Sequence, residues 1–286
     1  MTFLGSIAYS PLIWAQLVTS SSSSLNEDRD SSILPSPHLP LSPSSQPKTI
    51  NFTPPPPPPD RSAAGERGGA ASRGCGNGKQ SLMALVPDYK QTINLEQGEE
   101  IPVTKIWGLT TDDYPTFWFF VPYDQASITT IEFVIKDESQ KPSKTIYRTL
   151  LNKPEMPGII SVTMDKTTEP LQVSKTAHQK SYHWFLKIKV KCNPLQPAQL
   201  QTVDGWVERV SPSATLAEHL QQATPQQQVA LYAENGIWHN ALTTLAELRL
   251  AKAKDAPILA DWTSLLKSEE LESLANYPLV NCCQAE

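Results

Sequence analysis

Near Val210 the spacing of apolar residues changes from every second position to roughly every third or fourth, which divides the folded part of this chain into two kinds of structure. Before that point, short runs rich in Val, Ile, Thr and aromatics recur between turn signals. They span Thr116 to Pro122, Thr129 to Lys136, Thr145 to Leu151, Gly158 to Met164, His183 to Cys192 and Gln201 to Val210. Breakers such as "NKPEMPG", "TTEP" and "NPLQP" separate them. Strands at this spacing without interposed helices predict an antiparallel β-sandwich of the immunoglobulin or fibronectin kind. Within it, Ile131, Phe133 and Ile135 alternate with polar neighbours, turn, and meet Ile146 to Leu150 as a hairpin. "PTFWFFVPY" is apolar on both faces and therefore reads as a central, fully buried strand.

Beyond Val210 the pattern is helical. Leu216, Leu220 and Ala223 share one face; Thr224 caps a second helix that has Pro225 in its first turn. Asn235-Gly236 breaks that helix. Trp238, Leu242, Leu245 and Leu248 then form a second stripe, which Pro257 stops. The order Leu231, Tyr232, Gly236, Trp238, Ala241, Leu245 matches a tetratricopeptide unit, in which a small residue admits the facing helix. One such unit buries too little to stand alone, so it should pack on the sandwich or on a third helix from Ile258 to Leu266.

The first quarter of the 286 residues cannot contribute a core. Met1 to Val18 is apolar and runs into serines, the shape of a signal-peptide hydrophobic region, although the positive residues usual before it are missing. Residues 19–74 are dominated by Ser, Pro and then Gly, the composition of a disordered linker. The expected organisation is therefore a signal segment over 1–18, a linker over 19–74, a sandwich over 75–211 and helices over 212–286.

A net charge of −5 argues against nucleic acid as a partner. Lys187, Lys189 and Lys191 are the one basic cluster; they alternate with Leu186, Ile188 and Val190, as solvated residues of a half-buried strand do. "RGCGNGKQS" fails as a phosphate-binding loop, since Arg73 stands where glycine is needed and Gln80 follows Lys79. The histidines have no metal-site spacing, no nucleophile elbow or dinucleotide fingerprint occurs, and no metal or cofactor is expected. The four cysteines are Cys75, Cys192, Cys282 and Cys283. In an exported chain Cys75 and Cys192 could form a disulfide tying the linker to the strand that carries Cys192; two free thiols are the alternative.

The series "INFTPPPPP", "RGGAASRGCGNGKQSLMALVP", "PTFWFFVPY", "EFVIKD", "PGIISVTM", "YHWFLKIKVKC", "GWVERV" and "ALYAENGIWHNALTTLAELR" closely resembles the cyanobacterial family called domain of unknown function 928. The resemblance runs from about Ile50 to near Leu271. It implies a cyanobacterial, exported protein with cysteine at Cys75 and Cys192, and it implies no activity.

The expected function is thus a non-enzymatic envelope or periplasmic interaction module, periplasmic or secreted and not integral to the membrane. Its partner would be another envelope protein, met by the hairpin through Tyr232, Gly236, Trp238 and His239. One alternative is a glycan or small-ligand module using exposed rings of "FWFFVPY" or Trp184 and Trp206. The other is a hydrolase, which would need His183, Asp204 and Glu208 gathered in a cleft.

Overall fold

The computed structural model describes residues 50–56, 65–69, 80–94, 100–139, 141–173, 180–193, 195–280 and 282–283. The described residues belong to one compact unit. It is mostly β, with two sheets and four helices near the C-terminus. The strands are β1 Met83–Ala84, β2 Asp88–Asn94, β3 Glu100–Thr110, β4 Thr116–Val121, β5 Ile128–Asp137, β6 Lys144–Leu151, β7 Gly158–Thr163, β8 Ser181–Val190 and β9 Gln199–Arg209. A small sheet has the order β1-β4-β7, and a large one the order β2-β3-β9-β8-β5-β6.

All six strands read from alternation are present, shifted by one or two residues at their ends. β1, β2 and β3 were not legible. The outer half of β3, "EIPVT", carries a proline and is exposed or only partly buried at every position, so neither face imposes a period of two. Nor is the large sheet wholly antiparallel, as the strand pattern predicted: β3 runs parallel to β9, pairing Trp107 with Trp206 through Thr110 with Arg209. A parallel pair needs a long connection, and β4 to β8 supply it.

The two sheets meet through aromatic side chains. Phe117 and Phe119 of β4 lie 5.0 and 5.9 Å, centroid to centroid, from Phe133 of β5, and Phe119 lies 5.6 Å from Trp184 of β8. The alternate residues of β4 face the helical end. The Trp118 indole donates to Thr243 Oγ1 at 3.0 Å, and Phe120 packs on Tyr277 with centroids 4.3 Å apart. β4 is therefore buried on both faces because it lies between two partners, the arrangement its uninterrupted apolar run demands.

The helices are α1 Ala214–Gln222, α2 Pro225–Glu234, α3 Trp238–Ala251 and α4 Ala256–Lys267. Thr224 and Gln227 form a reciprocal capping box at the start of α2, with Pro225 in the first turn. Ser213 caps α1 and Asp255 caps α4. Pro257 sits in the first turn of α4 rather than at the end of α3, so α4 begins two residues before the expected Ile258. Asn240 ties α3 to the end of β3: its Oδ1 accepts from Thr110 Oγ1 at 3.1 Å and from the Thr111 amide at 2.9 Å.

Short segments close two sheet edges. Residues 67–69 run beside β1, where Gly69 N donates to Leu82 O and Ala84 N donates to Arg67 O. Residues 278–280 run beside β7, with Ile159 N donating to Pro278 O and Val280 N donating to Ile159 O, both at 2.8 Å. Such cover removes open hydrogen-bonding edges.

Candidate functional site

Of the four hairpin residues singled out from spacing, Gly236 and Trp238 meet a segment of the chain itself, whereas Tyr232 and His239 face the ends of β3 and β4. Ile50–Pro56 crosses the turn between α2 and α3. Ile50 and Phe52 are buried, while Asn51 and Thr53 are exposed. The Phe52 ring stands edge-on to Trp238 with centroids 4.9 Å apart. Two hydrogen bonds fix the segment's backbone: the Thr53 amide donates to Ala233 O at 3.0 Å, and Ser264 Oγ of α4 donates to Ile50 O at 2.8 Å.

Gly236 makes this approach feasible. Its φ is +72°, in the left-handed region, and a Cβ there would lie 2.8 Å from Pro55 Cδ and 3.1 Å from Thr53 O. Trp238 is fully buried and donates from Nε1 to Leu85 O at 2.9 Å, so its ring belongs to the core rather than to an outer surface. His239 is also buried. Its ring meets the edge of Phe117, and a Cβ on Gly108 would come within 2.9 Å of its Nε2. Burial lowers its pKa to about 4, leaving the imidazole neutral near pH 7. Tyr232 is half-buried; burial, then the nearby Asp112 carboxylate, raises its phenol pKa.

Ile50 and Phe52 were missed as members of this site. Their signal is slight: two apolar residues two apart within a Ser- and Pro-dominated tail.

The aromatic platform required for a glycan-binding reading is not present on these rings, and that expectation is corrected. Phe117, Phe119, Phe120 and Trp184 are each 1 % exposed, and Trp118 and Trp206 are 5 and 7 % exposed. Packing between the sheets and against the helices takes up the rings of β4 and Trp184, and Trp206 is stacked on His183.

The residues of the hydrolase alternative are only partly brought together. His183 Nε2 lies 2.7 Å from Asp204 Oδ2 and its Nδ1 lies 3.0 Å from Glu138 Oε1. The ring is stacked on Trp206 at 4.3 Å and faces Phe185 at 4.0 Å. Glu208 is buried two residue pairs away along the ladder, opposite Ser181. Each ring nitrogen of His183 thus meets a carboxylate of its own chain, and Trp206 and Phe185 pack against the ring. The cluster ties β8, β9 and the end of β5 together.

Among the described residues no group of three or more His, Cys, Asp or Glu is placed to hold a metal ion. Cys192 is half-buried against the core, and Cys75 lies outside the described residues. Cys282 and Cys283 are bonded to each other. No helix among the described residues is long and apolar enough to cross a membrane.

No curated protein matches the chain. The family model described as Domain of Unknown Function (DUF928) matches residues 64–279, three quarters of the sequence, including both sheets and all four α-helices among the described residues, and the chain belongs to that family.

Proposed function

We propose that the protein is a non-enzymatic interaction module of the cell envelope, exported to the periplasm or beyond. In this reading an immunoglobulin- or fibronectin-like sandwich carries a tetratricopeptide-like helical hairpin, and the hairpin groove is the working element. The observation that supports it most is that the groove holds a peptide: Ile50–Pro56 docks by two buried side chains, two backbone hydrogen bonds and a proline over Gly236. Alternating pockets with backbone hydrogen bonds are how receptors grip irregular or extended segments. A partner would present a segment of the same kind, an apolar residue, a spacer, a second apolar residue, then prolines.

The test empties the groove and refills it. In the full chain carrying Ile50→Ser and Phe52→Ser, a labelled peptide spanning residues 48–58 should bind saturably, while the unsubstituted chain binds it weakly. Equal and negligible binding to both proteins would overturn the groove reading. Export has its own check, non-reducing peptide mapping of protein from its native compartment. A peptide joining Cys75 to Cys192 is expected, and finding both thiols free would contradict it.

A further inference from the structure

One end of the large sheet carries exposed basic and apolar side chains. Lys187 and Lys189 of β8 point to the solvent side, and Leu200 of β9 lies directly opposite Lys189. Lys191 follows where β8 ends, its backbone amide held by Ser127 O at 2.7 Å. None of these three lysines has an ion-pair partner among the described residues; Lys187 instead sits 5.5 Å over the ring of Phe185. The nearest acid across the rung, Glu132, is engaged by Arg148 at 2.6 Å. A chain with a net charge of −5 thus concentrates unpaired positive charge here.

The apolar part is as specific. Leu195, in the turn between β8 and β9, is 93 % exposed, and Leu200 is 55 % exposed. The turn is ordered around Asn193, whose Oδ1 accepts from the Leu195 amide at 2.9 Å and whose carbonyl accepts from the Gln196 amide at 3.0 Å. A turn built to hold a leucine almost wholly in water leaves that side chain without an apolar contact within the chain itself.

The geometry points to a membrane-docking face: this end of the sheet rests on a bilayer rich in anionic lipid, with Leu195 at the boundary between headgroups and acyl chains. Leu200, opposite Lys189 at the start of β9, adds apolar surface, and Lys187, Lys189 and Lys191 meet the lipid phosphates. Lysines around an exposed leucine match the layered chemistry of such a surface, where charge is outermost and hydrocarbon lies beneath. A protein partner would not require the two chemistries in that order. The face is formed by β8, β9 and their turn and shares no residue with the hairpin groove, so either inference can fail alone.

The test is partition of the full chain onto vesicles of phosphatidylcholine with and without phosphatidylglycerol. Binding should need phosphatidylglycerol and fall steeply with added salt, whereas millimolar inorganic phosphate should not displace it. Replacing the three lysines together by glutamine should weaken partition by about tenfold or more. Replacing them by arginine should preserve it, which separates lost charge from lost folding. Leu195→Ser with Leu200→Ser should also weaken it, with the circular dichroism spectrum unchanged. Equal binding to both vesicle types, or a glutamine variant that binds like wild type, would overturn the proposal. So would a serine variant that binds unchanged, or displacement by inorganic phosphate, since either would indicate a site for soluble anions.

Discussion

Gly236 and Trp238 were legible as a pair from spacing, but what they face was not. The positive φ at Gly236 and the proline above it mean that Gly236→Ala should destabilise the protein by about 1–3 kcal/mol, from backbone strain and displacement of Pro55. Urea unfolding measures this directly, and an unchanged midpoint would contradict the close approach. Two titratable residues set opposing pH limbs. His239 is lowered from 6.5 to about 4 by burial, so its share of stability is present above pH 6.5 and is lost as pH falls toward 4. That share is on the order of 3 kcal/mol. Glu269 is raised from 4.5 to about 7, by burial first and then by Asp88 and Glu270 against the opposing Arg67. Its share is present below pH 4.5 and is lost as pH rises through about 7. His239→Leu should flatten the acid limb of a stability profile and Glu269→Gln the other. A variant that retains its limb would assign that limb to a different group.

At the scale of elements, sequence pattern succeeded where one face is wetter than the other, as along residues 185–190 of β8, and where chemistry marks a boundary, as in the Thr224 capping box. It failed where burial is not periodic. β3 passes from an exposed arm into the core within 11 residues, and its apolar residues therefore follow no single rule. It failed also where a segment is held by another element. The prolines at 54–56 keep that end of the Ile50–Pro56 segment extended, but the segment's position comes from its contacts with α2, α3 and α4. Phe52→Ala should therefore cost about 3–5 kcal/mol, the loss expected of a core phenylalanine and far above that of a linker position. Thr224→Ala should cost about 1 kcal/mol. If Phe52→Ala were neutral in urea unfolding, the segment would not be part of the core.

For the whole molecule, the division into β and helical parts follows from the change of period at Val210 and the weakness of a lone hairpin requires it to pack on something, while the particular contacts that join the parts into one core do not follow. Trp118 to Thr243, Trp238 to Leu85 and Asn240 to Thr110 join residues more than a hundred positions apart, and no periodicity reports such pairings. The same limit explains the candidate site: Gly236 and Trp238 were readable, while the segment about 180 residues upstream that packs on them was not. The central claim is that the helical end is built around a segment of its own chain, and amide hydrogen exchange on the intact protein tests it most directly. The Thr53 amide, bonded to Ala233 O, should be strongly protected and should open together with the α2 to α3 region. Exchange of residues 50–56 at the rate of an unstructured peptide, beside protected helices, would contradict the account.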